Sequence, residues 1–305
     1  MQINEDTIRP DWNKPKYVDD KIDLSNNLCY DTIVNESISN LIKTLDVSFR
    51  QYTDEYPLYV AISNHHDIDI KNLVCGYGLG ELIDRILRVY KNLKFAIVSP
   101  TWPMVEIFCS LHSIPFERIS SHKQETNCQA IYIANPNGIT GECFSKKELE
   151  DLLNRYELVV IDEAYGEFSN IDYSFFKEAK YRENLLVLKT LSKSLGVAGL
   201  RIGYGVANFE IINKLQMVRP SCTSHSISVD LSPYLFDMIP GHVSRMIETR
   251  TWLEQNYDCI PSQGNFVLFR TLPKGIDEKF YTKNIKGIHR MSLTNLQIIK
   301  NAISN

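Results

Sequence analysis

Leu158-Val159-Val160-Ile161-Asp162-Glu163-Ala164-Tyr165 is the stretch that decides the fold. Four consecutive apolar residues followed at once by two acids read as a short strand covered on both faces, with its charged groups at the carboxyl end. Three other runs share this character: Phe95-Ala96-Ile97-Val98, Ala130-Ile131-Tyr132-Ile133-Ala134 and Leu185-Leu186-Val187-Leu188. Helical patterns lie between them. From Gly80 to Tyr90, Leu82, Ile83, Ile86, Leu87 and Tyr90 fall on one face. Ser145-Lys146-Lys147-Glu148 is a capping box that opens a helix carrying Leu149, Leu152 and Leu153. Strand–helix alternation of this kind predicts an α/β fold with a mostly parallel central sheet flanked by helices, over roughly residues 31–214. Ligands of such sheets bind at the carboxyl ends of the strands.

The last third differs. Residues 215–256 read as helical, with Pro220, Pro233 and Pro240 interrupting. Gly264-Asn265-Phe266-Val267-Leu268-Phe269 reads as a strand, and a short amphipathic helix ends the chain. We expect residues 31–214 to form a large domain, and residues 1–30 with 215–305 to form a small α+β domain with an N-terminal arm. A chain of 305 residues with 44% hydrophobic content can bury cores of that size. The net charge of −4 is ordinary and gives no basic excess for nucleic acid. Seven widely spaced cysteines without a CxxC argue against a disulfide framework or a zinc site, and fit a reducing cytoplasm. No metal is expected. Met1 to Asp11 lacks a basic segment followed by an apolar one, so no signal peptide is expected. No apolar run approaches the roughly 20 residues of a membrane span.

Four motifs follow the buried strands. Gly76-Tyr77-Gly78-Leu79-Gly80 opens a helix, whose N-terminal N–H groups suit a phosphate; a plain strand-to-helix turn is the bland alternative. It lacks the dinucleotide spacing and the Lys-Ser/Thr ending of a P-loop. Asn135-Pro136-Asn137-Gly138-Ile139-Thr140-Gly141 taken alone is a turn. Asp162-Glu163 fits a metal-holding acid, a helix cap, or a carboxylate that keeps a ring nitrogen protonated. No GxxxxGK[ST] exists to support the first. Thr190-Leu191-Ser192-Lys193-Ser194 puts a lysine among small hydroxyl residues, and Arg201 follows in an apolar, glycine-rich stretch where it should need an anion partner.

In order and spacing these pieces resemble the class I/II aminotransferases of the aspartate aminotransferase fold type (fold type I), and best the histidinol-phosphate aminotransferase-like branch. The combination of Asp162-Glu163-Ala164-Tyr165 with Ser192-Lys193 and Arg201 carries the match. The resemblance implies pyridoxal 5'-phosphate as cofactor, bound through Lys193, which would later shuttle a proton. Asp162 would pair with the ring nitrogen, and Tyr165 would hydrogen-bond the ring's phenolic oxygen. The Leu79 and Gly80 N–H groups, with Thr190, Ser192 and Arg201, would hold the phosphate. Trp102 would stack on the ring. Tyr52 would reach the phosphate of the neighbouring subunit's cofactor in a homodimer. Arg290, in His289-Arg290-Met291-Ser292, would clamp the α-carboxylate of the substrate.

Two departures stand out. The family's Asn-Pro-Thr-Gly turn aligns with Gly138-Ile139-Thr140-Gly141, so its ring-binding asparagine is missing unless Asn137 replaces it. Between Thr271 and Gly287 the chain is short, and where relatives can carry a second arginine for a distal phosphate only Lys274, Lys279, Lys283 and Lys286 occur. The expected reaction is amino transfer between an amino acid and a small keto or aldehyde compound, with or without a phosphate. A decarboxylase of a phosphorylated amino acid is the alternative within the same chemistry. A non-catalytic binding protein is the alternative outside it.

Overall fold

The run that opens the argument forms the strand Leu158–Asp162, near the middle of a seven-stranded sheet. Residues 21–47 and 50–303 are described by the computed structural model. The readings of Met1 to Asp11, and most of the proposed N-terminal arm, lie outside the described residues. Across the sheet the strands run Leu73–Tyr77, Ile202–Val206, Leu185–Thr190, Leu158–Asp162, Ala130–Ala134, Phe95–Val98 and Phe116–Ile119. All are mutually parallel except Ile202–Val206, which is antiparallel to both its neighbours.

Unbroken apolar runs form these strands because each face of the sheet is covered. Val159 and Ile161 share one apolar layer with Ile131, Val187 and Tyr204. Leu158 and Val160 share the opposite layer with Tyr132, Leu186 and Leu188. A half-exposed strand would alternate polar and apolar residues; these cannot without burying polar groups. Shared direction has a consequence for function. The carboxyl ends at Tyr77, Val98, Ala134, Asp162 and Thr190 emerge at one edge, and the antiparallel strand begins there, just after Arg201.

Local detail departs from expectation in two places. The capping box at Ser145 and Glu148 forms, but the helix it opens ends at Leu149 and resumes as Leu152–Arg155. Pro233 does not interrupt its helix, Ser226–Leu235. Proline lacks the N–H that would reach the Val229 carbonyl one turn back, and the Ser232 hydroxyl donates to that carbonyl instead, at 2.7 Å.

A second, four-stranded antiparallel sheet contains Lys283–Ile285, Ile288–Ser292, Phe266–Phe269 and Cys259–Ile260. Its apolar cluster includes Met246, Leu253, Val267, Phe269, Met291 and Leu293, together with Leu24 and Cys29 from the other end of the chain. Residues 22–30 are stitched to this part: Ile22–Asp23 pairs in parallel with Phe280–Tyr281, and Ser292 N donates to Leu24 O at 2.8 Å.

Asp31 closes that stitching. Its buried carboxylate accepts from His242 Nδ1 at 2.8 Å, from Arg245 at 2.7 Å, and from the first-turn amide of the helix Thr32–Ile42. Burial alone would raise the pKa of this acid; the hydrogen bonds from His242, Arg245 and Asn295 outweigh it and hold the carboxyl well below the ordinary value. A depressed folded-state pKa adds stability above the unfolded-state value of 3.8, and that stability is lost as pH falls. Asp31→Ala should therefore destabilise the protein by about 3 kcal/mol at pH 7 in urea unfolding. The gap between variant and parent should narrow steadily once the pH drops below 4; a gap independent of pH would contradict this account.

Candidate active site

Five loops and one strand start meet at the carboxyl edge of the large sheet. The first loop turns at Gly78 into the helix Gly78–Val89. Gly78 has φ +70°, and a Cβ there would lie 2.4 Å from Nη2 of Arg201, so only glycine lets the guanidinium approach this closely. Arg201 donates to Tyr77 O at 3.3 Å and to Ala198 O at 3.1 Å. It has no carboxylate partner among the described residues. The helix N-terminus, with the N–H groups of Leu79 and Gly80 in its first turn, lies beside this cation. Two sources of positive potential at one point make a seat for an anion.

Trp102 borders the same turn. A Cβ on Gly80 would lie 3.3 Å from its ring, and the indole is 41% exposed rather than part of the core. Thr190 caps the short helix Leu191–Ser194: its hydroxyl accepts from Ser192 N at 3.1 Å and donates to Ile202 O at 2.8 Å. Its proton is thereby engaged in joining two strand ends. The Ser192 hydroxyl has no hydrogen bond among the described residues.

The two acids after the central strand face opposite ways. Glu163 is fully buried and accepts from Ser174 at 2.7 Å and Phe175 N at 3.1 Å, with Lys189 Nζ 3.3 Å away. Asp162 points to the other side. Its Oδ2 accepts the Tyr132 hydroxyl at 2.5 Å, and its Oδ1 accepts from Ala164 N at 3.0 Å. Burial pushes the Asp162 carboxyl above its ordinary pKa, while those two bonds pull it back toward the ionised form.

Lys193 is half-buried. Its amine donates to Asn26 O at 3.3 Å and lies 5.9 Å from the centre of the Tyr165 ring. Desolvation lowers its pKa to about 8, helped by the charges of Arg290 and Arg201. The Tyr165 hydroxyl sits 3.0 Å from Asn27 Nδ2 and is pushed up to about 12 by burial. Arg290 is 7% exposed on the strand Ile288–Ser292, which reaches the site from the smaller sheet. Among the described residues it donates only to carbonyls, Gly138 O at 3.0 Å and Ser25 O at 3.1 Å, and its Nε has no partner. A buried guanidinium with only neutral partners is an incomplete ion pair.

Thus Lys193, Asp162, Tyr165, Arg201, Leu79, Gly80, Trp102, Thr190, Ser192 and Arg290 gather at one sheet edge. Tyr52 does not join them within one chain; it is 90% exposed. Asn137 is close but occupied. Its Nδ2 donates to Pro100 O at 2.7 Å, and its Oδ1 accepts from Ile139 N at 2.8 Å and Thr140 N at 3.1 Å. The place of the missing asparagine is filled: a Cβ on Gly138 would meet the Tyr165 ring at 2.5 Å.

Two contributors were not legible in the sequence. Tyr132 gave a faint sign, as the one hydroxyl in an otherwise aliphatic buried strand. The segment Ser25-Asn26-Asn27 gave none, yet Arg290, Lys193 and Tyr165 all dock on it.

Fold and site define an enzyme that handles an anionic ring cofactor through a lysine. The chain belongs to the class I and II aminotransferases: the model of that family matches residues 20–295. It is a transaminase that uses pyridoxal 5'-phosphate and acts on small molecules. Among curated proteins, a histidinol-phosphate aminotransferase of Pyrococcus furiosus is 28% identical over 282 residues, covering 85% of this chain and 83% of that protein. Among solved structures, the histidinol-phosphate aminotransferase of Sinorhizobium meliloti in complex with pyridoxal-5'-phosphate superposes with TM-score 0.71 at 16% identity, covering 93% of this chain and 88% of that one. The L-threonine-O-3-phosphate decarboxylase of Porphyromonas gingivalis does so with TM-score 0.74 at 16% identity, covering 93% and 98%. The last two similarities concern the fold, which serves proteins named for different reactions.

The residues present fit the cofactor. Arg201 lacks an acidic partner among the described residues and lies beside a helix N-terminus, a buried acid faces the lysine's side of the sheet, and the lysine's lowered pKa gives a free amine above about pH 8. Reaction of the protein with pyridoxal phosphate should speed up with rising pH through about 8, as the Lys193 amine loses its proton. Stopped-flow absorbance would follow it; a rate flat from pH 6 to 10 would remove Lys193 as the reacting group.

Proposed function

We propose that this enzyme moves an amino group between an amino acid and a small keto or aldehyde acceptor bearing a phosphate. The observation that carries the reading is Arg290, a buried cation without an anion, set beside the lysine and acid that serve the cofactor. The name of the Pyrococcus furiosus relative, a histidinol-phosphate aminotransferase, supports a phosphorylated compound as one of the two substrates. When bound, pyridoxal phosphate supplies an electron sink for the carbanion formed at the substrate's Cα.

Each side chain then has a task. Arg290 binds the substrate carboxylate with its two-pronged guanidinium, which orients the amino group toward Lys193. The Lys193 amine, uncharged above about pH 8, removes and returns the Cα proton. Asp162, held by Tyr132 and the Ala164 amide, keeps the ring nitrogen protonated. Arg201, Ser192 and the first helical amides anchor the phosphate, with Thr190 holding that loop in shape. Trp102 would cover a ring face. Tyr165 would hydrogen-bond the ring's phenolic oxygen.

We further propose a homodimer in the cytoplasm. Tyr52, almost wholly exposed, would complete the phosphate site of the partner. All seven cysteines are unpaired, and no helix among the described residues is long and apolar enough to cross a membrane. Residues 31–214 would be the cofactor-holding unit, and the flanking residues the smaller one. The separate apolar cluster built largely from residues 24–29 and 246–302 supports this division. The helix Ser226–Leu235 is an exception, packing Val229, Leu231 and Leu235 against the large sheet.

Incubation with amino donors should show product only when a 2-oxo acid or aldehyde is also present. Release of carbon dioxide from a single phosphorylated amino acid would replace this reading with decarboxylation. Arg290→Ala should raise KM for the amino acid roughly ten- to hundred-fold, the loss of a charge-assisted hydrogen-bond pair. An unchanged KM would take the carboxylate clamp away from Arg290.

A further inference from the structure

We propose that Asn27 is the positioning residue that makes Tyr165 a hydrogen-bond donor to the cofactor ring, in place of the asparagine absent at position 138. The proposal rests on the assignment of the site to pyridoxal phosphate and adds a residue to it.

The geometry fixes the direction of every bond involved. Asn27 is 2% exposed, and its Nδ2 lies 3.0 Å from both Gly138 O and the Tyr165 hydroxyl oxygen. Gly138 O is a carbonyl and can only accept, so the side of the amide that faces it must be the NH2 group. A flipped amide would set two oxygens against each other there. The same NH2 group faces Tyr165, and it can only donate. The phenolic oxygen is therefore the acceptor, and its own proton must point elsewhere.

Among the described residues Tyr165 donates to nothing. Its neighbours leave it little freedom to turn away: its ring lies over Gly138, where a Cβ would come within 2.5 Å, and packs edge-on against Phe266 with centroids 5.9 Å apart. A phenol that already accepts a hydrogen bond is polarised into a better donor. The structure thus keeps one strong, oriented O–H in the site, ready for an oxygen anion.

The backbone around Asn27 is shaped for this. The residue sits at φ +53°, a left-handed conformation that asparagine tolerates and most residues do not. Its carbonyl accepts from Asn265 Nδ2 at 3.0 Å, tying the turn to the smaller sheet. Asn26 O, one residue earlier, receives Lys193, and Gly138 O also receives Arg290. The amide is thus locked to the same frame as the lysine and the arginine. Its Oδ1 is buried without a partner among the described residues, so the amide is held by its NH2 group and its backbone alone.

The consequence can be read without turnover. A donor on the ring's phenolic oxygen stabilises its anionic form, and so lowers the pH at which the conjugated nitrogen on Lys193 loses its proton. The visible absorption of the loaded protein reports that pH. Asn27→Gly removes the amide while suiting the left-handed backbone, and it should raise the absorption midpoint by roughly half to one pH unit and weaken cofactor binding several-fold. Asn27→Asp, of similar size, replaces the donor with an acceptor; it should turn the phenol proton inward and raise the midpoint at least as far. In a Tyr165→Phe background, Asn27→Gly should cause no further shift, because the hydroxyl it acts through is gone.

An unchanged midpoint in both single variants would overturn the proposal. So would a full additional shift in the Tyr165→Phe background, which would mean that Asn27 acts by general packing. The underlying assignment is checked separately in the parent protein: borohydride should fix the cofactor to Lys193. If that labelling fails, the cofactor assignment falls with it; if it succeeds and the midpoints do not move, only the role of Asn27 falls.

Discussion

The carboxylate of Asp162 is the constraint on which the site depends. An acid at the end of a strand buried on both faces should prefer to be neutral. It is held toward the ionised form by two short bonds, from the Tyr132 hydroxyl on the neighbouring strand and from the Ala164 amide. The Tyr132 hydroxyl reaches it because Ala130–Ala134 and Leu158–Asp162 are parallel and in register, with Ala134 opposite Asp162; the Ala164 amide lies two residues along the same turn. Shifting that pairing by one residue would turn Asp162 toward the far face and bring Glu163 into the site. Glu163 instead finds Lys189, Ser174 and the Phe175 amide behind the sheet. The register therefore decides which of two adjacent acids faces the site and which is buried behind the sheet.

The second organising feature is an excess of positive charge. Lys193, Arg201 and Arg290 converge from three segments, and neither arginine has a carboxylate partner among the described residues. Desolvation, with a smaller contribution from the two arginine charges, lowers the lysine's pKa to about 8. The same excess suits the site to anions. One electrostatic arrangement thus draws anions and favours the uncharged amine.

Much of this was legible in the chain because it is local. Buried strands announce themselves as apolar runs, and a residue just beyond such a run must lie at the sheet edge. That logic located Asp162, Lys193 and the glycine turn before any coordinates. It gave poorer guidance where a contact joins distant segments. Asn137 looked like a substitute for the missing asparagine by proximity in sequence, yet its polar atoms bind the turn and the Pro100 carbonyl. Asn27, more than a hundred residues away, faces Tyr165 instead. Pro233 read as a helix breaker, because the rescue by the Ser232 hydroxyl depends on a side-chain geometry that composition does not reveal.

The layered α/β architecture, the order of the motifs along one sheet edge and the place of Lys193 just beyond a buried strand were set by the sequence alone, since hydrophobic period and turn chemistry act over a few residues. Only the tertiary structure decided how the two ends of the chain meet. Residues 22–30 pair with Phe280–Tyr281 and hydrogen-bond to Ser292 and Leu293 of the smaller unit, and in doing so they carry Asn27 to Tyr165 and present the Ser25 carbonyl to Arg290. The physical reason is that such contacts close loops of more than a hundred residues. Their partners are chosen by burial and hydrogen-bond geometry in the folded core, not by neighbours along the chain.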